Sequence, residues 1–392
     1  MQERYIETPG QLEQLCDSLR ESRWLALDTE FIREKTYYPQ LCLLQVCNGE
    51  TAACVDPLRL DSLDPLIEVV MQPSIVKIFH AGRQDLEIFN ALWQRLPAPL
   101  FDTQLAATLL GLGEQIGYAA LVQKLLGVDL DKGHTRTDWS RRPLQDGQLR
   151  YALDDVIYLG EIYLEFAARL RELGRTEWLQ EEFALLTNPD TYRIDPAAAW
   201  QKIKGRQRLR GAQLAVLQAL AAWRENLAVA SDRPKRWIAK DEILVDLARR
   251  MPKTLADLGH IRGLEQGLQK RHGEELLGLI TQSRALPRTS WPQDKQPPLR
   301  LTPNQEALAD LLMCCLRLLA EQNQVSPAML ASRSMLEQLV AGERDIELLH
   351  GWRRMLAGDS LLEVLAGRRA PNLVEGRLAL LAVADDHSAG RK

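Results

Sequence analysis

The sequence predicts an α/β domain built on a mixed sheet flanked by helices, followed by two small all-α helical bundle domains. Three observations carry that expectation. Hairpin-type strands open the chain, helix–strand alternation continues to about residue 190, and beyond it helical periodicity takes over while strand patterning fades. Two stretches interrupt the helical half. Asn188-Pro189-Asp190 with Asp195-Pro196 forms a first linker, and Pro287, Pro292, Pro297, Pro298 and Pro303 mark a second that cannot be helical throughout. The expected units are 1–190, 205–288 and 302–382, with 383–392 a disordered tail.

The elements read in order as follows. Residues 24–31, Trp-Leu-Ala-Leu-Asp-Thr-Glu-Phe, form a dense apolar run and read as the first strand. Residues 41–48 and 51–56 are two further strands, and the Asn48-Gly49-Glu50 joint between them is a hairpin signal, so three antiparallel strands open the fold. A short helix over 63–71, a strand over 74–79 and a helix over 85–94 come next. A short strand at 100–101 and helices over 103–110 and 118–126 follow, the last stopped by Gly127. Residues 128–142 are polar and aperiodic, hence a loop, and one long helix from about 145 to 173 ends at Gly174.

Composition narrows the class. A chain of 392 residues with 46% hydrophobic content is a folded protein of two or three domains. No apolar run approaches the ~20 residues of a membrane span, and acids occupy the first ten residues where a signal peptide needs an apolar core. The six cysteines Cys16, Cys42, Cys47, Cys54, Cys314 and Cys315 sit in apolar contexts, so buried free thiols and a cytoplasmic location are expected. The net charge of −4 conceals an asymmetry: residues 1–200 hold 19 Lys/Arg against 31 Asp/Glu, whereas residues 201–300 hold 20 against 10. An acidic domain joined to a basic one suggests metal chemistry coupled to a grip on a polyanion, the alternative being chance variation of solvated surface.

The candidate chemistry lies in dispersed acids. Asp28 and Glu30 are two apart on a strand and so share one face, roughly 7 Å apart. Two acids in an apolar strand are costly to bury unless a cation neutralises them, although a polar edge facing water would also accommodate them. Asp85 follows the 74–79 strand and opens a helix, where an acid can simply complement the helix dipole. Tyr151 and Asp155 lie one turn apart on the long helix and share a face. Taken jointly, the ordered set is specific, because four converging carboxylates repel one another without bound cations. Two divalent ions, Mg²⁺ or Mn²⁺, roughly 4 Å apart are what such a cluster commonly serves in phosphodiester cleavage.

At these residues the chain resembles the DEDD exonuclease superfamily, tyrosine subgroup, and over nearly its whole length the bacterial ribonuclease D family. Asp28-Thr29-Glu30 matches the first exonuclease motif, Asp85 the second, and Tyr151-Ala152-Leu153-Asp154-Asp155 the third. The resemblance implies an RNase H-like fold and release of nucleoside 5′-monophosphates from RNA 3′ ends. It also implies roles: Asp28 bridging both ions, Glu30 and Asp155 on the nucleophile side, Asp85 on the other ion, and Tyr151 holding the attacking water. Asp154 points about 100° away from Asp155 on the helix and reads as a bystander. The loop Asp138-Trp139-Ser140-Arg141-Arg142-Pro143-Leu144 is also similar to the family, with Arg142 a candidate phosphate contact and Trp139 packed beneath; a purely structural Arg142 is the alternative. His80 at a strand end is a further candidate substrate contact, again with a structural alternative. Gln145 stands where the family often has Thr, a better N-cap.

Residues 210–290 resemble the helical domain shared by RecQ-type helicases and ribonuclease D, through Trp223-Arg224, Pro234, Asp241 and Ile261-Arg262-Gly263. Lys202, Lys204, Arg206, Arg208 and Arg210 form a basic entry, reinforced by Arg233, Lys235 and Arg236 beside Trp237. Cations near an exposed aromatic suit a phosphate backbone with unpaired bases, with Lys202, Lys204 and Arg236 the candidate contacts; a solvated face with Trp237 in the core is the alternative. Residues 303–380 look like a second, more divergent copy. The resulting expectation is a monomeric, metal-dependent 3′→5′ exoribonuclease acting on tRNA precursors and other small structured RNAs with 3′ extensions. A DNA-directed exonuclease of the same chemistry and a non-catalytic RNA-binding scaffold stay open as alternatives.

Overall fold

A computed structural model describes residues 1–131, 133–134, 137–293 and 299–383. Its first domain is a six-stranded mixed sheet. The strands are β1 Gln2–Ile6, β2 Trp24–Ile32, β3 Gln40–Cys47, β4 Thr51–Val55, β5 Val76–Phe79 and β6 Leu100–Asp102, in the spatial order β1-β4-β3-β2-β5-β6. The β2–β3 and β3–β4 pairs are antiparallel, as the Asn-Gly joint predicts. Asn48 Oδ1 closes that turn by accepting from the N–H groups of Glu50 and Thr51 at 3.0 and 2.8 Å. The remaining pairs, β1–β4, β2–β5 and β5–β6, are parallel.

Helices α1 Pro9–Leu19, α2 Asp64–Val70 and α3 Arg83–Trp93 cover one face, burying Leu15, Leu66 and Phe89 against Leu25, Leu27 and Val46. α4 Thr103–Leu109 and α5 Tyr118–Leu126 follow, and then α6 Asp146–Ile157 and α7 Leu159–Glu172. Ala152, Leu153 and Val156 of α6 pack on Ala26, Cys42 and Ile78 across the other face. The sheet therefore alternates cleanly, with odd positions of β2 facing α1–α3 and even positions facing α6.

Four features differ from the sequence expectation. β2 is not the first strand. β1 precedes it as an edge strand whose charged residues bury only Ile6, too little for an apolar pattern to reveal. The single long helix is broken at Tyr158 into α6 and α7. Gly160 stands just beyond, where an added Cβ would lie 2.0 Å from the Trp24 ring, so the helix passes β2 at backbone contact there. The last helical domain also ends in a hairpin, Arg369–Val374 and Arg377–Ala382, with Glu375 and Gly376 both at positive φ (51° and 79°) in its two-residue turn. Of the six thiols, all free, Cys314 is exposed rather than buried.

Beyond α8 Gln180–Leu186 the chain enters a bundle of α9 Ala212–Ala230, α10 Lys235–Ile238, α11 Asp241–Arg250, α12 Leu255–Gly259 and α13 Gln266–Ala285, with its own core around Trp200, Leu217, Leu244 and Ile280. The terminal domain, by contrast, shares a core with the first. Leu109, Leu121 and Phe166 lie in one continuous cluster with Leu316, Leu330 and Leu361. Trp178 and Trp352 stack across the junction at 5.0 Å and 3°, with Arg175 and Arg353 over their outer faces. Arg175 also donates to the carbonyls of Leu109 and Asn323, one on each side. Of the expected tail, residues 383–392, all but Val383 lie outside the described residues. Among the described residues no helix is long and apolar enough to cross a membrane.

A shared core unfolds as a unit. In calorimetry the exonuclease and terminal domains are expected to melt in one transition, and Trp352→Ala should lower its stability by roughly 3–5 kcal/mol; separate melting of the two would contradict the shared core.

Candidate active site

Asp28 and Glu30 continue the parity of Ala26 on β2, so both side chains face α6, and the α6 contacts carry Asp155 to meet them. One carboxylate oxygen each from Asp28, Glu30 and Asp155 lie within 4.8 Å of one another. Thr29, of opposite parity, faces α3. Its hydroxyl donates to Asp85 Oδ1, so one tripeptide places two acids directly and holds a third through the residue between them.

Asp85 is presented by the turn between β5 and α3. Ala81 takes φ +56°, and a Cβ on Gly82 would stand 2.5 Å from that of Phe79, so the turn closes only with glycine there. Asp102 clamps it from the next strand, accepting from the N–H groups of Ala81 (3.2 Å) and Gly82 (2.9 Å) while capping α4 through Gln104 (2.8 Å). Thr29 and Asp102 are positioning residues that the sequence reading missed. An aspartate between a short strand and a helix is an N-cap signature and could have been found; the hold on the preceding turn could not.

Each of the four acids is held above the ordinary carboxylate range. Burial, and then the charges of Asp85, Asp155 and Glu30, push Asp28 well above the usual carboxylate range. Burial with Asp155 and Asp85 raises Glu30 to about 8. Burial raises Asp155 to about 7 against a hydrogen bond from Tyr151, and raises Asp85 to about 6 against the Thr29 hydroxyl. An oxygen-only donor set of this density fits a hard divalent cation, which removes the repulsion the acids otherwise relieve by binding protons.

Tyr151, one turn before Asp155, lies between Trp139 and His134, each with its ring centroid 6.1 Å away. Trp139 is buried beneath the loop as expected. Asp154 turns aside to pair with Arg150 at 2.7 Å, and its backbone carbonyl accepts from the buried Tyr118 hydroxyl. At Gln145, the α6 N-cap residue, the backbone N–H donates to Gln148 Oε1 at 2.8 Å.

Two residues offered as substrate contacts with a structural alternative, Arg142 and His80, are bonded within the protein. The Arg142 guanidinium makes a two-pronged pair with buried Asp56 (2.5 and 2.8 Å) and donates to the carbonyls of Cys42, Trp139 and Arg141. Its five N–H donors are thus used within the protein, and none is left for a phosphate. It locks the loop over Tyr151 to the sheet, and removing one partner of such a buried pair costs roughly 3–5 kcal/mol. The two ring nitrogens of His80 meet Thr103 Oγ1 and the Ile116 carbonyl, both at 2.9 Å. Burial lowers its pKa, and Nε2 donates to the Ile116 carbonyl, a structural arrangement. Lys204 and Arg236 do converge. They line a groove of about 730 Å³ in the first helical bundle together with Arg208, Arg262 and Trp237, which is 59% exposed. Lys202 lines a separate cleft.

The raised acid at Glu30 sets a pH dependence with a definite sign. Between its ordinary 4.5 and its folded value of about 8 the folded metal-free protein holds more protons than the unfolded chain, so this contribution to stability is full below that window and lost as pH rises through 8. In EDTA, Glu30→Gln should therefore gain in melting temperature over the wild type from pH 5 to pH 8 by at least ~2 °C. A pH-independent difference would contradict the coupling.

Comparison with known proteins agrees with this geometry. The 3′-5′ exonuclease family profile matches residues 4–171 and the HRDC domain profile matches residues 213–280. Ribonuclease D of Jannaschia sp. (strain CCS1) is 42% identical over 93% of this chain and 96% of its own length. Ribonuclease D of Bartonella henselae is 38% identical over 96% and 93%. The crystal structure of Escherichia coli RNase D, described as an exoribonuclease involved in structured RNA processing, superposes with a TM-score of 0.80 at 34% identity, covering 94% of this chain and 99% of that one. With its acids gathered on β2, α3 and α6 and a helical bundle behind them, this chain belongs to the ribonuclease D family of 3′→5′ exoribonucleases.

Proposed function

We propose that the chain removes nucleotides one at a time from RNA 3′ ends as 5′-monophosphates, using Asp28, Glu30, Asp85 and Asp155 to hold two divalent cations. Mg²⁺ or Mn²⁺ suits these oxygen donors. The observation that carries the reading is the meeting of Asp28, Glu30 and Asp155 oxygens within 4.8 Å, with Asp85 held alongside by Thr29. When bound, such cations supply an activated water and charge compensation at the leaving 3′ oxygen.

The chain's own residues do the rest. Asp28, next to both Asp155 and Asp85 in charge and position, would be the ligand common to both cations. Glu30 and Asp155 would help hold the cation that supplies the activated water, and Asp85 the one that compensates the leaving 3′ oxygen. The Tyr151 hydroxyl, hydrogen-bonded to Asp155, orients the water towards phosphorus. Trp139 and the Arg142–Asp56 pair fix the Tyr151 ring rather than touch substrate. The groove of Lys204, Arg208, Arg236 and Trp237 gives RNA a cationic and stacking surface away from the acids, in the segment matching the HRDC domain.

E. coli RNase D is described as processing structured RNA; we propose for this chain small structured RNAs with 3′ extensions, tRNA precursors among them, met in the cytoplasm by a single chain. A DNA-directed enzyme of the same chemistry is the competing reading, which parallel digestion of matched RNA and DNA 3′ overhangs separates. Alanine at Asp28, Glu30, Asp85 or Asp155 should nearly abolish EDTA-sensitive release of mononucleotides with the fold intact by circular dichroism. Tyr151→Phe should slow it by roughly 10²–10⁴-fold with RNA still bound. Near-wild-type rates in any two of these variants would refute the assignment.

A further inference from the structure

Between the exonuclease domain and the first helical bundle runs a cleft that the chemistry above leaves unused. It consists of two adjoining cavities of about 420 and 560 Å³ that share Glu87, Tyr192, Arg193, Ile194 and Glu225. Its walls are preformed. The Tyr37 hydroxyl donates to Glu225 of α9 at 2.6 Å, and Asp232 Oδ1 accepts from the N–H groups of Tyr37 and Tyr38 at 2.9 and 3.2 Å. The loop leaving β2 is thereby fastened to the bundle.

The cations in this cleft fall into two sets. Arg33 pairs with Glu87 at 2.7 Å and Lys235 with Glu225 at 3.5 Å, so those charges are neutralised in place. Arg83, Arg193 and Lys202 line the same cavity, are exposed, and make no ion pair among the described residues. Three unpaired cations against one unpaired acid, Asp195, leave this cavity net positive and call for an anion.

Position supplies the second argument. At one end, Arg83 opens α3 two residues before Asp85, and the charges of Arg83, Asp85 and Glu87 all act on the Tyr192 hydroxyl in the cleft wall. At the other end, the cleft backs onto the groove around Trp237. Lys202 lines the cleft and Lys204 the groove, with Ile203 buried between; Lys235 lines the cleft and Arg236 the groove. Two short segments thus carry cations into both the cleft and the groove. Tyr38 and Tyr192 add aromatic surface along it.

We propose that this interdomain cleft is a phosphate track, in which Arg83, Arg193 and Lys202 hold the backbone of the single-stranded RNA segment lying 5′ to the bond being cut. The track rests on the exoribonuclease reading for its direction, but its binding can be measured without hydrolysis. It makes the grip depend on length, since a dinucleotide in the active site ends before the cleft whereas a longer tail fills it.

The test is the double variant Arg193→Gln/Lys202→Gln, both positions exposed, against single-stranded RNA of about twelve nucleotides, within the usual span of such sites, and against a dinucleotide. KM for the long RNA should rise roughly ten-fold with kcat little changed, while KM for the dinucleotide moves less than about two-fold. In the metal-free protein, anisotropy of the labelled oligonucleotide should show the slope of log K against log salt reduced by about 1.4, two phosphate contacts at ~0.7 each. An equal loss on both lengths, or an unchanged salt slope, would overturn the track. Failure of the wild type to hydrolyse RNA at all would instead sink the exoribonuclease reading, and the anisotropy alone would still decide the cleft.

Discussion

The structure is arranged around a repulsion. Asp28, Glu30, Asp85 and Asp155 come from three elements and meet where burial makes each charge expensive, so that metal-free all four hold their protons to higher pH than an ordinary carboxyl. No packing gain explains such a gathering. Divalent cations do, and the surrounding fold reads as the apparatus that forces the acids together: a strand parity, a glycine turn, and a helix laid across the sheet.

That apparatus is built from side chains bonded to one another within the protein. Thr29 turns a strand residue into a rest for Asp85, and Asp102 ties the presenting turn to the next helix. Arg142 and Asp56 fasten the loop that backs Tyr151, with Trp139 between. The terminal domain contributes in the same way at larger scale, since its core is continuous with that of the exonuclease domain and the Trp178–Trp352 stack joins them. The first bundle stands apart with its own core and carries the positive charge.

How much of this was legible in the sequence depends on the range over which each cause acts. Strand alternation put Asp28 and Glu30 on one face, helical spacing put Tyr151 above Asp155, and Asn48-Gly49 marked its hairpin, because each signal is complete within a few residues. Arg142 stayed open between a phosphate contact and a structural role because a lone arginine in a polar loop looks free, and its partner Asp56 lies 86 residues earlier. His80 stayed open for the same reason, its partners Thr103 and Ile116 being supplied by tertiary packing. β1 and the terminal hairpin were missed because both are mostly exposed and bury too little to impose a pattern. The shared core has no local signature, since apolar helix faces do not announce which domain they will cover.

The account reduces to whether the acids are a seat for metal. Anomalous diffraction from a crystal soaked with Mn²⁺ and a nucleoside 5′-monophosphate tests it most directly. Two peaks are predicted, one bounded by Asp28, Glu30 and Asp155 and one between Asp28 and Asp85. An empty cluster, or manganese bound only elsewhere, would contradict it.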